Sequence, residues 1–429
     1  MKRPARLSDL QGAARLAVEA TIGVTDLVES VHHSVTHLPG KGPVPGSSPS
    51  RQRGISGFVY RTVRRITRWV GSGADLAFTR LGPALEPPSA GEETAEAASL
   101  RREALVAALN GVLGDHLEAS ANPLAIPMRF RRGGRELDPA RESGGRVLLL
   151  LHGLCRADLQ WRRHGHDHGE RLAAELGFAP VYLHYNSGRA IAANGRELAR
   201  RLEELLAAWG APVDELLAVG HSMGGLVMRA ACRVAESEGL SWRRRLRKIV
   251  FLGTPHHGAP LERGGNWVNL ALDTTSYTAA FARLGRMRSA GITDLRHGRL
   301  GPIGASDPES QEDRFARGSG EGAPLPLPAG VVCYAFAATL APDPAAPAEA
   351  SAAAGRRRRL RPPALLGDGL VPLASALGDH PDPARDLAIP AARRAVGYAM
   401  SHLDLLDRPE VYARIRAWLS APGALPPAT

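Results

Sequence analysis

The chain has 429 residues, 44% of them hydrophobic, and its 54 Lys and Arg against 43 Asp and Glu leave a net charge of +11. A sizeable core is therefore available, anionic surfaces are favoured partners, and three scattered cysteines (Cys155, Cys232 and Cys333) exclude a disulfide framework and suit a reducing cytosol. No apolar run approaches the roughly 20 residues that span a bilayer, and no signal-like apolar core follows Met1-Lys2-Arg3, so the expectation is a cytoplasmic protein, with peripheral membrane contact as an addition.

Residues 7–36 space Leu7, Leu10, Ala14, Val18, Ile22, Leu27, Val31 and Val35 mostly three or four apart, which predicts a helix with one apolar stripe. A Pro/Gly/Ser-rich linker over 39–50 follows. A second helix is predicted over 57–77, with Val63, Ile66, Trp69 and Val70 on one side and Arg61, Arg64, Arg65 and Arg68 on another. Such a basic amphipathic helix packs on a core, covers a site as a lid, or lies on an anionic membrane. After a linker over 82–92, Leu100 to Leu117 is a third helix, closed by Asn122-Pro123. Residues 1–124 thus read as a helical N-terminal region with linkers.

From Met128 the pattern alternates. Strands are predicted at 128–132, 146–151, 180–184, 214–219, 247–252 and 330–336, with helices near 168–176, 190–208 and 224–237, so a mostly parallel sheet covered by helices on both faces should fill 125–429. Residues 258–329 break the rhythm and read as a cap insertion, with helix-like pieces at 267–272 and 278–284. A further insert at 341–363 is rich in Ala and Pro and carries Arg356 to Arg359, a composition that suits a loop.

The chemistry-bearing motifs sit at the ends of these strands. Gly220-His221-Ser222-Met223-Gly224 follows the apolar run 216–219 and precedes a helix-compatible segment, the strand, sharp turn and helix of a nucleophile elbow. Leu148 to Leu151 runs into His152-Gly153-Leu154, a loop able to offer the Leu154 N–H to an oxyanion alongside that of Met223. Asp368, in Gly367-Asp368-Gly369, is an acid on a turn, and His402 lies just before a C-terminal helix. A serine hydroxyl is too weakly acidic to attack unaided, so His402 would take its proton while Asp368 holds the imidazole tautomer.

Other histidines compete for that role. His221 lies inside the elbow and points away from the nucleophile; His256 and His257 follow a middle strand; His152 belongs to the oxyanion loop; His380 sits among prolines; and Asp404, on the helix beside His402, is a poorer acid than Asp368. His164-Gly165-His166-Asp167-His168 invites a metal reading, but its spacing is one residue short of H-x-H-x-D-H, and a rim or helix-start role is preferred. Phosphate-loop glycines followed by Lys-Ser/Thr are absent, so neither cofactor nor metal is expected.

The order Ser, Asp, His, with His-Gly-Leu-Cys at 152–155, Tyr185-Asn186-Ser187-Gly188, Asn194-Gly195 and Phe251-Leu252-Gly253-Thr254-Pro255-His256-His257-Gly258, resembles the α/β-hydrolase superfamily. Within it the chain resembles a bacterial lipase and esterase group related to the GPI-inositol-deacylase-like hydrolases, over roughly residues 125–429. The resemblance implies hydrolysis of an acyl or lipid ester in a capped fold. Two alternatives share these residues: an acyltransferase with the same triad, or a non-catalytic membrane-associated binding module that kept the fold.

Overall fold

In the computed structural model, residues 9, 11–16, 18, 95–259, 289–297, 325–344 and 367–421 are described. Apolar runs with no polar alternation must be buried on both faces, and three of them form the middle of one sheet: β3 (Arg146–Leu151), β5 (Glu215–His221) and β6 (Leu246–Leu252). The other strands are β1 (Arg129–Arg132), β2 (Arg135–Glu136), β4 (Ala179–His184), β7 (Val332–Ala338) and β8 (Arg394–Gly397). Their order is β2-β1-β4-β3-β5-β6-β7-β8. β1 and β2 form a hairpin, β1 runs antiparallel to β4, and every later pairing is parallel.

The helices are α1 (Ala95–Ala119), α2 (His168–Leu176), α3 (Ile191–Ala207), α4 (Met223–Glu238), α5 (Ala290–His297), α6 (Leu373–Leu377) and α7 (Pro409–Ser420). Successive strand side chains point to opposite faces, so one strand feeds two cores. Val147, Leu149 and Leu151 join Ala218, Phe251 and the inner faces of α3 and α4. Leu148 and Leu150 join Val219, Leu252, Leu172 of α2 and Val411, Ile415 and Trp418 of α7. This strand order, with helices on both faces, is the α/β-hydrolase fold.

The expected strands and helices of 128–252 appear within two residues of their predicted ends, the strand expected at 330–336 is β7, and the helix expected at 100–117 is longer, as α1. β2 and β8 have no counterpart among the expected strands: each is short, and β8 has only Ala395 and Val396 as apolar residues. Of the insertion expected over 258–329, the described part contains α5, whose Leu295 is buried. The helix at 57–77, most of that at 7–36, the pieces at 267–272 and 278–284, and nearly all of 341–363 lie outside the described residues. Among the described residues no helix is long and apolar enough to cross a membrane.

The chain divides into two compact units, one of Met1–Arg102 with Leu117–Ala125, the other of Glu103–His116 with Ile126–Thr429. In the first, Asn122 Nδ2 donates to Gly12 O at 3.1 Å and its Oδ1 accepts from Leu124 N–H at 3.0 Å. In the second, a charged side chain is buried near the start of β6. Lys248 of β6 is 2% exposed, and its ammonium donates to Trp418 O at 3.0 Å, Leu419 O at 3.1 Å and Ala421 O. A cation there satisfies carbonyls that the end of α7 leaves without partners and complements the helix dipole. Lys248→Met should lower the unfolding free energy by about 2–3 kcal/mol, as expected when hydrogen bonds to a charged group are lost and their acceptors stay buried. Urea denaturation measures it.

Candidate active site

Ser222 joins β5 to α4 with φ 54° and ψ −125°, a region that costs a non-glycine residue about 1–3 kcal/mol. Its N–H donates to Leu252 O at 2.8 Å, which ties the turn to β6. Glycine is required beside it, because a Cβ on Gly224 would lie 2.4 Å from Leu151 O and one on Gly220 would lie 2.6 Å from the Gly225 Cα. The Ser222 Oγ is buried and has no hydrogen-bond partner among the described residues.

The turn after β7 places the acid. Asp368 Oδ1 accepts from Leu370 N–H at 2.9 Å and Val371 N–H at 2.8 Å, which leaves Oδ2 to face His402 Nδ1 at 2.7 Å. The same loops are joined by His402 N–H donating to Asp368 O at 3.1 Å. Both side chains are 2% exposed or less. With Nδ1–H directed at the carboxylate, Nε2 is the His402 nitrogen that can accept a proton. His221, the chain neighbour of Ser222, donates from Nε2 to His402 O at 3.1 Å, and the two rings lie 4.6 Å apart. The elbow and the His402 loop therefore meet. Burial, and then the field of His402, hold His221 well below the usual imidazole range, so it packs there neutral.

The loop after β3 closes the other side. Gly153 approaches so near that a Cβ would lie 2.9 Å from Ser222 Cβ. Leu154 is buried beside it, and its N–H donates to no described backbone carbonyl. Met223 is the first residue of α4, where an amide has no intrahelical acceptor and the dipole favours negative charge.

Two of the rival histidines have partners of their own. His380 packs on His257 at 4.8 Å and accepts from Asp382 N–H at 3.0 Å. His256 Nδ1 accepts from the Arg229 guanidinium at 3.1 Å. Asp404 accepts from Ser401 N–H at 2.7 Å. Asp167 caps α2, accepting from Gly169 N–H at 2.7 Å and Glu170 N–H at 3.0 Å, which is the helix-start role expected of the 164–168 stretch. His168 Nε2 donates to Leu405 O at 2.9 Å, so its Nδ1 accepts from His166 at 2.7 Å. Those lone pairs are spent on structure. Ligating atoms do gather at Glu103, Asp158 and His184, but Arg131 already bridges the two carboxylates at 2.8 and 2.9 Å and takes the place of a cation.

Burial sets an acid limit on this fold. It pushes the imidazoles of His152 and His168 down to about 3. A depressed folded-state value means the neutral form is favoured by folding, so this stability is full above about pH 6.5 and is lost as pH falls toward 3. At pH 5 each should cost about 2 kcal/mol relative to pH 7.5. Urea unfolding at the two pH values should differ by about 4 kcal/mol from this pair alone, and a pH-independent midpoint over that range would contradict it.

A family model described as a domain of unknown function, DUF7379, matches residues 98–296. No curated protein matches the chain. Among solved structures the chain is similar to the mature Bacillus licheniformis lipase BlEst2 at 14% identity, over 69% of this chain and 98% of that one, with a TM-score of 0.38. It is similar to Aspergillus fumigatus lipase B at 13% identity, over 67% of this chain and 56% of that one, with a TM-score of 0.37. RedJ, a thioesterase of the Streptomyces coelicolor prodiginine pathway, is 19% identical over 66% of this chain and 91% of that one, with a TM-score of 0.34. Likenesses this distant specify no substrate.

Proposed function

We propose that the chain is a serine ester hydrolase, with Ser222 as nucleophile, His402 as general base and acid, and Asp368 as the orienting carboxylate. The amides of Leu154 and Met223 form the oxyanion hole. The observation that carries the reading is the buried 2.7 Å contact between Asp368 and His402, on a loop that packs against the strained turn of Ser222. A buried carboxylate aimed at Nδ1 sets one tautomer and leaves the Nε2 lone pair ready to take a proton.

In the first half-reaction Nε2 takes the Ser222 proton as Oγ attacks the ester carbonyl, and the carbonyl oxygen becomes an anion held by the two amides. His402 then protonates the departing alkoxide, which leaves an acyl-enzyme and a free alcohol. Water repeats the cycle in reverse and releases the carboxylic acid. An alcohol entering in place of water gives acyl transfer by the same steps.

The resemblance of 152–155, 185–188 and 251–258 to GPI-inositol-deacylase-like hydrolases extends the reading to an ester with a substantial apolar acyl part. Residues 125–429 form the catalytic domain in this account, with the N-terminal region as its appendage. A p-nitrophenyl ester series from short to long chains, run on wild type and Ser222→Ala, tests it. Hydrolysis should be present only in wild type, and equal rates from both would defeat the proposal.

A further inference from the structure

The segment 185–188 has no part in the chemistry above, yet its side chains reach both ends of the oxyanion loop. Tyr185 O–H donates to His152 O at 2.8 Å, and Ser187 Oγ accepts from Cys155 N–H at 3.0 Å. Both side chains are 1% exposed. Leu154, whose amide the proposed mechanism needs, lies between these two attachment points.

Restraint on this loop matters because Cys155 adopts φ 58°, a left-handed conformation that is costly for a residue with a Cβ. Asn186 keeps the restraining segment in place. Its Nδ2 donates to Gly114 O of α1 at 2.8 Å, its Oδ1 accepts from Gly188 N–H at 3.1 Å, and its carbonyl accepts from Asn194 Nδ2 at 2.9 Å. These bonds account for the Tyr-Asn-Ser-Gly and Asn-Gly pieces of the sequence as one device.

We propose that Ser187 and Tyr185 are positioning residues for the oxyanion hole, acting through Cys155 and His152 to aim the Leu154 N–H at the position of the developing oxyanion. This inference rests on the hydrolase reading. A donor displaced by about 1 Å loses transition-state stabilisation and leaves the bound ground state nearly unchanged.

The test compares wild type with Ser187→Ala and with the near-isosteric Tyr185→Phe, using p-nitrophenyl butyrate, a trifluoromethyl ketone inhibitor and hydrogen exchange of the 152–156 backbone. For Ser187→Ala, kcat should fall about ten- to a hundredfold. KM should change less than about threefold, and the inhibition constant of the ketone, whose serine adduct carries the oxyanion, should rise in proportion to the loss in kcat. Tyr185→Phe should show the same pattern more weakly. Both variants should exchange faster at 152–156. Wild-type kcat, inhibition and exchange in both variants would overturn the inference. Exchange also separates its failure from that of the hydrolase reading: a wild type inert toward every ester, with faster exchange in the variants, would sink the activity and leave the restraint standing.

Discussion

Ser222→Ala and His402→Ala should each lower kcat about a millionfold, and the double variant should lose no more than either alone. The reason is that the two groups act as one unit. Without His402 the hydroxyl keeps its proton and cannot attack; without Ser222 the imidazole has nothing to activate. Among the described residues the Ser222 Oγ has no hydrogen-bond partner that an alanine would orphan, so Ser222→Ala should unfold at nearly the wild-type denaturant concentration. Losses that added in the double variant would show that the residues contribute separately.

Asp368→Asn should lower kcat about ten-thousandfold while KM stays within a few-fold. The local hydrogen bonds explain the size of the effect. Leu370 N–H and Val371 N–H both donate to Oδ1, so the carbonyl of an asparagine would be held there and its NH2 would face His402. An NH2 at that position donates to Nδ1 and forces the proton onto Nε2, the wrong tautomer for a base. Kinetics on the folded variant check this, and a loss under tenfold would mean that another group orients His402.

Much of the fold and of the candidate site is legible in the amino-acid sequence. β3, β5 and β6 announce themselves because central parallel strands carry unbroken apolar runs (147–151, 216–219 and 249–252), and the elbow because its glycines flank a serine between a strand and a helix. Asp368 is readable as an acid between two glycines. Contacts between distant segments are not legible in this way. Lys248 looks like the end of a charged stretch ahead of an apolar run until the end of α7, some 170 residues later in the chain, is seen against it. Ser187 and Tyr185 carry no signal of their own, because a hydroxyl becomes a restraint only once the fold brings a particular amide or carbonyl to it. β8 escapes for a different reason: a short edge strand buries too little to need a pattern. The histidines of 164–168 suggest ligands, but the lone pairs of Asp167 go to a helix cap and that of His168 goes to the His166 N–H.

Ser222 should behave as an activated nucleophile in the folded chain. The most direct measurement is labelling of the native protein with a fluorophosphonate, followed by mass-spectrometric mapping of the modified residue. One equivalent on Ser222, abolished in His402→Ala, is the predicted result. Folded protein that takes up no label, or takes it up at another residue, would rule out Ser222 as the nucleophile.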